Sequence, residues 1–201
     1  MKVNSNELFC SSGYMPELIG LNWLALPAII RVLLATDGTV TKSLESYFWE
    51  PIRVRCLKQQ CLERQRTLQS TDESGPEIEI EKIQDPEGCT SESIWRAGDE
   101  LWSRDVYLEG RHSQKRYVEA SSIVCFSILP NAVRQGLLAG ELGIGEIIRM
   151  LGLETYRRIV SLGQQPKAPA PPTSVWRVYH LYYKGRILME IKEEFNLKAF
   201  V

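Results

Sequence analysis

The segment Leu101-Trp102-Ser103-Arg104-Asp105-Val106-Tyr107-Leu108 alternates as a strand does when one of its faces is buried, and it carries a permanent charge on the buried side. Trp102, Val106 and Leu108 share one parity, and Ser103, Asp105 and Glu109 share the other. Arg104 falls with the tryptophan. A guanidinium does not shed its proton, so inside a core it needs an anion beside it. Three arrangements meet that need. The side chain can pair with a protein carboxylate, it can run along the apolar surface to water, or its planar fork can receive the carboxylate of a ligand.

The 201 residues suit a single domain, 1–201, with enough chain to bury a sizeable core. Lys and Arg number 24 against 25 Asp and Glu, a net charge of -1, so electrostatics argue against nucleic acid or an anionic membrane as partner. The most apolar stretch, 18–35, is broken by Asn22, Pro27 and Arg31 and is a poor membrane span. The first residues lack the basic-then-apolar order of a secretory signal. Five irregularly spaced cysteines and two histidines form no metal-ligand pattern. The expectation is a reduced, cytoplasmic, metal-free and monomeric protein.

Along the chain, 18–35 reads as helical, with Pro27 opening a second piece whose apolar face holds Ile29, Ile30, Leu33 and Leu34. Asp37-Gly38 ends it, and Thr39 is a plausible cap for a short helical turn. Residues 47–57 read as a strand with Arg53 and Arg55 on one face and Ile52, Val54 and Cys56 on the other. Residues 64–100 read as a mobile insertion containing an alternating Glu77-Ile78-Glu79-Ile80-Glu81 edge strand.

The Arg104 strand follows, then a hairpin at Gly110-Arg111-His112 and a strand over 117–128. A helix is expected from Pro130-Asn131 through 138, a glycine turn at 140–145, and a second helix over 146–162 with Ile147, Ile148, Leu151 and Ile159 on its core side. The four prolines in 164–174 mark an extended linker within the domain. Residues 176–183 and 186–195, joined by Lys184-Gly185, close the chain as a β-hairpin. The pattern is α+β with an antiparallel sheet.

Two further features bear on chemistry. Gly143-Ile144-Gly145 puts small residues before a helix, where main-chain N–H groups can meet an anion or simply turn the chain. In Ile187-Leu188-Met189-Glu190-Ile191, alternation puts Ile187, Met189 and Ile191 on the core face and Glu190 with solvent. No catalytic triad, phosphate-binding loop or zinc motif is present in the sequence.

Taken in order, four segments resemble the chorismate lyase family (chorismate–pyruvate lyase, 4-hydroxybenzoate synthase), in its cyanobacterial-type branch. They are Leu33-Leu34 with Asp37 and Thr41-Lys42; Trp102-Ser103-Arg104 followed by Val106-Tyr107-Leu108; Leu142-Gly143-Ile144-Gly145; and Leu188-Met189-Glu190. The resemblance implies an antiparallel sheet with helices folded over an internal ligand cavity and an enzyme without a cofactor. It implies that chorismate loses pyruvate to give 4-hydroxybenzoate, an aromatic acid that feeds quinone (plastoquinone) synthesis. Carried over by position, Arg104 binds the ring carboxylate together with the main-chain N–H groups of Val40 and Ile144. Glu190 then serves as general acid/base at the other end of the ring. Arg53, Arg55, Lys42 and Arg149 are unranked candidates for the second substrate carboxylate. The alternative is a non-catalytic effector-sensor domain of the same fold that binds small aromatic acids. Such domains follow a DNA-binding helix-turn-helix, which the short arm before residue 18 does not supply.

Overall fold

The computed structural model describes residues 16–62, 94–140, 143–166 and 171–200. Among these residues seven strands form one sheet: β1 (Glu17–Ile19), β2 (Ile52–Leu62), β3 (Leu101–Gly110), β4 (Arg116–Cys125), β5 (Tyr156–Gln165), β6 (Ser174–Tyr183) and β7 (Arg186–Asn196). Their order is β1-β5-β6-β7-β4-β3-β2. Every pairing is antiparallel except β1 with β5, so the sheet is mixed and not wholly antiparallel as expected. Four helices accompany it: α1 (Ala28–Ala35), α2 (Val40–Phe48), α3 (Asn131–Ala139) and α4 (Ile144–Met150).

Local chemistry accounts for the boundaries. Pro27 caps α1, whose Ile30, Leu33 and Leu34 are fully buried at the spacing of one helix face. Thr39 takes the N-cap position of α2 without a capping hydrogen bond from its side chain, and the helix continues for two and a half turns to Trp49, a residue in the left-handed conformation. Lys184 and Gly185 both have positive φ, as the tight turn between β6 and β7 requires. At the β3–β4 hairpin a Cβ on Gly110 would lie 2.3 Å from Glu50 Oε1 and from Ser113 Oγ, so a side chain there would displace both. Glu50 gathers the loop by accepting hydrogen bonds from the His112 and Ser113 N–H groups and from the Ser113 and Tyr117 hydroxyls.

Two apolar clusters lie on the sheet's inner face. One packs Ile30, Leu33, Leu34 and Leu44 of α1 and α2 on Leu108, Val118, Leu162 and Phe195. The other packs Val133 and Leu137 of α3 and Ile147 of α4 on Val124, Leu181 and Met189. Burying each such side chain contributes about 1.5–3 kcal/mol.

Several expected elements differ. Residues 17–19 form an edge strand and 23–25 a 3-10 turn, where a helix was expected from residue 18. Residues 47 and 48 close α2, so β2 begins at Ile52 and extends to Leu62. The expected helix over 146–162 is a seven-residue helix followed by a strand, and Ile159 reaches the core from β5. Residues 164 and 165 belong to β5 and 174 to β6, so the proline segment is the connection between two paired strands. The Glu/Ile alternation at 77–81 and most of the 64–100 segment lie outside the described residues.

Candidate active site

Residues directly opposite one another in a sheet point to the same side, so the register sorts the charged residues by face. Arg104 on β3 faces Ser122 on β4, which faces Ile191 on β7, which faces Tyr179 on β6, which faces Ile159 on β5. That row lies on the helix-covered side, and Arg104 is 2% exposed. The next row on the same side runs Val106, Ala120, Glu193, Arg177. Glu190 belongs to the other parity, opposite Ile123 and His180, on the far face of the sheet.

The register therefore puts Glu190 on the opposite face from Arg104 and Glu193 on the same face as Arg104. Glu190 is half-buried and bonds His180 Nε2 at 2.8 Å. Glu193 is 7% exposed. One of its oxygens accepts from Arg177 Nε at 2.7 Å and the other from the Tyr179 hydroxyl at 3.1 Å. Arg177, 1% exposed, also donates through Nη1 to the Thr36 carbonyl at 2.7 Å and stands over the Tyr179 ring. Burial, reinforced by the Glu193 charge, pushes the Tyr179 hydroxyl well above its ordinary range, so it stays a proton donor to the carboxylate.

By strand spacing and rise, the Arg104 and Glu193 Cα atoms are ~12 Å apart, two strands over and two residues along. The strand between them contributes Ala120 and Ser122, both small. A cation and an acid thus share one face of the sheet, with small residues on the strand between them.

Two helix starts lie above this face. Val40 and Ile144 are the first residues of α2 and α4, where main-chain N–H groups have no partner within the helix. A Cβ on Gly145 would lie 3.0 Å from Thr39 Cγ2, so the two starts lean on each other. One on Gly143 would lie 3.1 Å from Val54 of β2, while Gly145 is beside Arg157 of β5. In a flat sheet β2 and β5 would stand ~24 Å apart, five spacings of the ladder. One short turn touching both means that the sheet is curled, with residues 143–145 across its opening.

Of the other sequence candidates, Lys42 pairs with Glu45, and Arg53 and Arg55 both approach Glu109; their side chains are 55%, 39% and 49% exposed. Arg149 is exposed on α4. None points into the inner face. A separate cleft of about 420 Å³ opens between Ile128-Leu129-Pro130 and the β6–β7 turn and includes neither Arg104 nor Glu193. No helix among the described residues is long and apolar enough to cross a membrane.

Glu193 and Arg177 escaped the sequence reading, yet each carries the same signal as Arg104. Met189, Ile191, Glu193 and Phe195 share one parity, as do Val175, Arg177, Tyr179 and Leu181, and in each run one charge interrupts the apolar series.

An α+β domain with a curled sheet, an inward arginine and an inward acid is the class that this geometry defines. The chain belongs to the Rv2949c-like chorismate pyruvate-lyase family, whose model matches residues 34–200. It is 30% identical over 180 residues to a chorismate pyruvate-lyase of Mycobacterium leprae (strain TN), a match covering 85% of this chain and 75% of that protein. Among solved structures it is similar to the effector domain of PhnF from Mycobacterium smegmatis, with a TM-score of 0.47, 11% identity and coverage of 80% and 90% of the two chains. Against a second PhnF structure from that organism the TM-score is also 0.47, with 10% identity, and this chain covers 64% of that one.

Proposed function

We propose that the protein eliminates pyruvate from chorismate to give 4-hydroxybenzoate, with Arg104 and Glu193 as the two ends of the site. The observation that carries this reading is their common inner face, one fork and one acid across a floor of Ala120 and Ser122, in a chain of the lyase family. The cavity between sheet and helices is part of the proposal, as are a monomeric, cytoplasmic, cofactor-independent enzyme, a role in quinone synthesis and a place in the cyanobacterial-type branch.

Chorismate gains an aromatic ring when the C3–O ether bond breaks and the C4 proton leaves. The substrate supplies the driving force, and the protein must hold the ring and manage one proton. In this reading Arg104 clamps the ring carboxylate as a bidentate partner, with the Val40 and Ile144 N–H groups alongside. Glu190 was expected to carry the proton. Its outward parity and its bond to His180 move that role to Glu193. Arg177 and Tyr179 each occupy one lone pair of Glu193, and each carboxylate oxygen retains another for substrate. The carboxylate takes up the C4 proton as the ether electrons leave with the enolate of pyruvate. It then returns the proton to that product.

Purified protein given chorismate should release pyruvate and 4-hydroxybenzoate in equal amounts. Arg104→Met should weaken 4-hydroxybenzoate binding by about 2–5 kcal/mol, the range for truncating one side of a buried charge pair. Glu193→Gln should bind that product and lose turnover. Absence of pyruvate release by the wild-type protein would end the proposal.

A further inference from the structure

The substrate of the proposed reaction has two carboxylates, and Arg104 accounts for one. This inference rests on that reading and concerns the other.

Three arginines reach the helix-covered face from the central strands: Arg104, Arg177 and Arg157, the last in the row of Leu181, Met189 and Val124. The charge of Arg177 is answered by Glu193. Arg157 is placed differently. Its Nη1 donates to the Asp37 carbonyl, its guanidinium stands 5.6 Å from the Tyr179 ring centroid, and its Nη2 lies 3.6 Å from where a Gly145 Cβ would be. Its Nε is buried without a hydrogen bond. Each of these neighbours is electrically neutral. A carbonyl and a ring face orient a guanidinium without cancelling its charge.

Position adds to the argument. Arg157 rises from β5 to the turn that crosses the opening of the curled sheet, close to Thr39 and Gly145. Arg104 stands four strands away and two residues along on the same face, ~20 Å between Cα atoms in a flat sheet and less in a curled one. In this inference the two guanidinium arms, several ångströms each, converge on one dicarboxylate. Glycine at 145 leaves the Nη2 side of Arg157 uncovered. The four cations that sequence suggested for this task are turned outward or exposed.

We propose that Arg157 is the second cation of the site and binds the carboxylate of the enolpyruvyl arm, making it the residue that distinguishes dicarboxylate substrate from monocarboxylate product.

The test compares two ligands by calorimetry, so that binding is read independently of turnover. 3-(Carboxymethoxy)-4-hydroxybenzoate carries both carboxylates, and 4-hydroxybenzoate carries only the ring one. Arg157→Gln should weaken the dicarboxylate at least tenfold while changing 4-hydroxybenzoate less than twofold. The KM for chorismate should rise by a similar factor, with kcat less affected. Arg157→Lys, which keeps a charge but not the fork, should fall between wild type and Arg157→Gln for the dicarboxylate alone. If loss of the Asp37 contact prevents Arg157→Gln from folding, the Lys variant decides, with at least a threefold loss confined to the dicarboxylate. Equal losses for both ligands would assign Arg157 to the ring carboxylate or to the loop, and no loss for either would remove it from the site; both results overturn the inference. Wild-type protein that binds both ligands and releases no pyruvate would sink the lyase reading alone.

Discussion

Replacing Glu193 by leucine leaves the Arg177 guanidinium with one carbonyl, that of Thr36, in a place where it is 1% exposed. Removing one side of a buried ion pair costs about 3–5 kcal/mol, because the remaining charge is desolvated and unanswered. Glu193→Gln keeps the shape and one acceptor for Arg177 or Tyr179. It loses the charge-assisted part of two hydrogen bonds, about 1.5–3 kcal/mol. For a chain of this size each kcal/mol lowers Tm by about 2–4 °C, so the leucine variant should melt on the order of 10 °C early. Arg177→Met combined with Glu193→Leu removes both charges and leaves apolar volume, and it should regain most of that loss. Urea denaturation followed by circular dichroism on the two single variants and the double variant closes the cycle. If Glu193→Leu alone cost under about 1 kcal/mol, or if the losses simply added in the double variant, the two groups would not be coupled as the 2.7 Å contact requires.

Other outcomes follow from the same coordinates. The hydroxyl of Tyr117, with further donors from Ser113 and His112, holds the Glu50 carboxyl down at about 2. Its contribution to stability is present above the unfolded value near 4.5 and is lost as pH falls towards 2. Melting curves over that window should therefore steepen in wild type and flatten in Glu50→Gln. Glu190→Gln should cost under about 1 kcal/mol in urea denaturation, since the His180 pair is partly exposed, and should leave pyruvate release within twofold of wild type. A tenfold fall in that rate would return the proton to Glu190. Leu33→Ala in the fully buried face of α1 should destabilise by about 2–5 kcal/mol without altering ligand selectivity, read by denaturation and calorimetry.

Parity within a strand proved the most legible property. Arg104 is buried with its apolar companions, as its alternation implies. The same rule puts Glu190 outward, and the register agrees; it was the resemblance, matched on a short Leu-Met-Glu run, that turned it inward. Glu193, three residues on, has the inward parity that it shares with Arg104.

Long-range pairing was less legible. Residues 156–165 carry Ile159 and Leu162 at a spacing that also suits a helix, because an irregularity in the ladder between Ile159 and Ser161 shifts the strand's alternation. The three residues of β1 gain their strand character from β5, far along the chain. Arg157 and Arg177 become meaningful only once the Asp37 and Thr36 carbonyls arrive from another part of the sequence.

Among the described strands, the last in sequence is also the one in the middle. β7 joins β6 on one side to β4 on the other, so a chain that ends before it holds two unconnected half-sheets, β1-β5-β6 and β4-β3-β2. During synthesis both halves keep open edges until β7 has left the ribosome. A stop codon before residue 186 would remove β7, and with it both the strand that joins the two half-sheets and the acid proposed for the site.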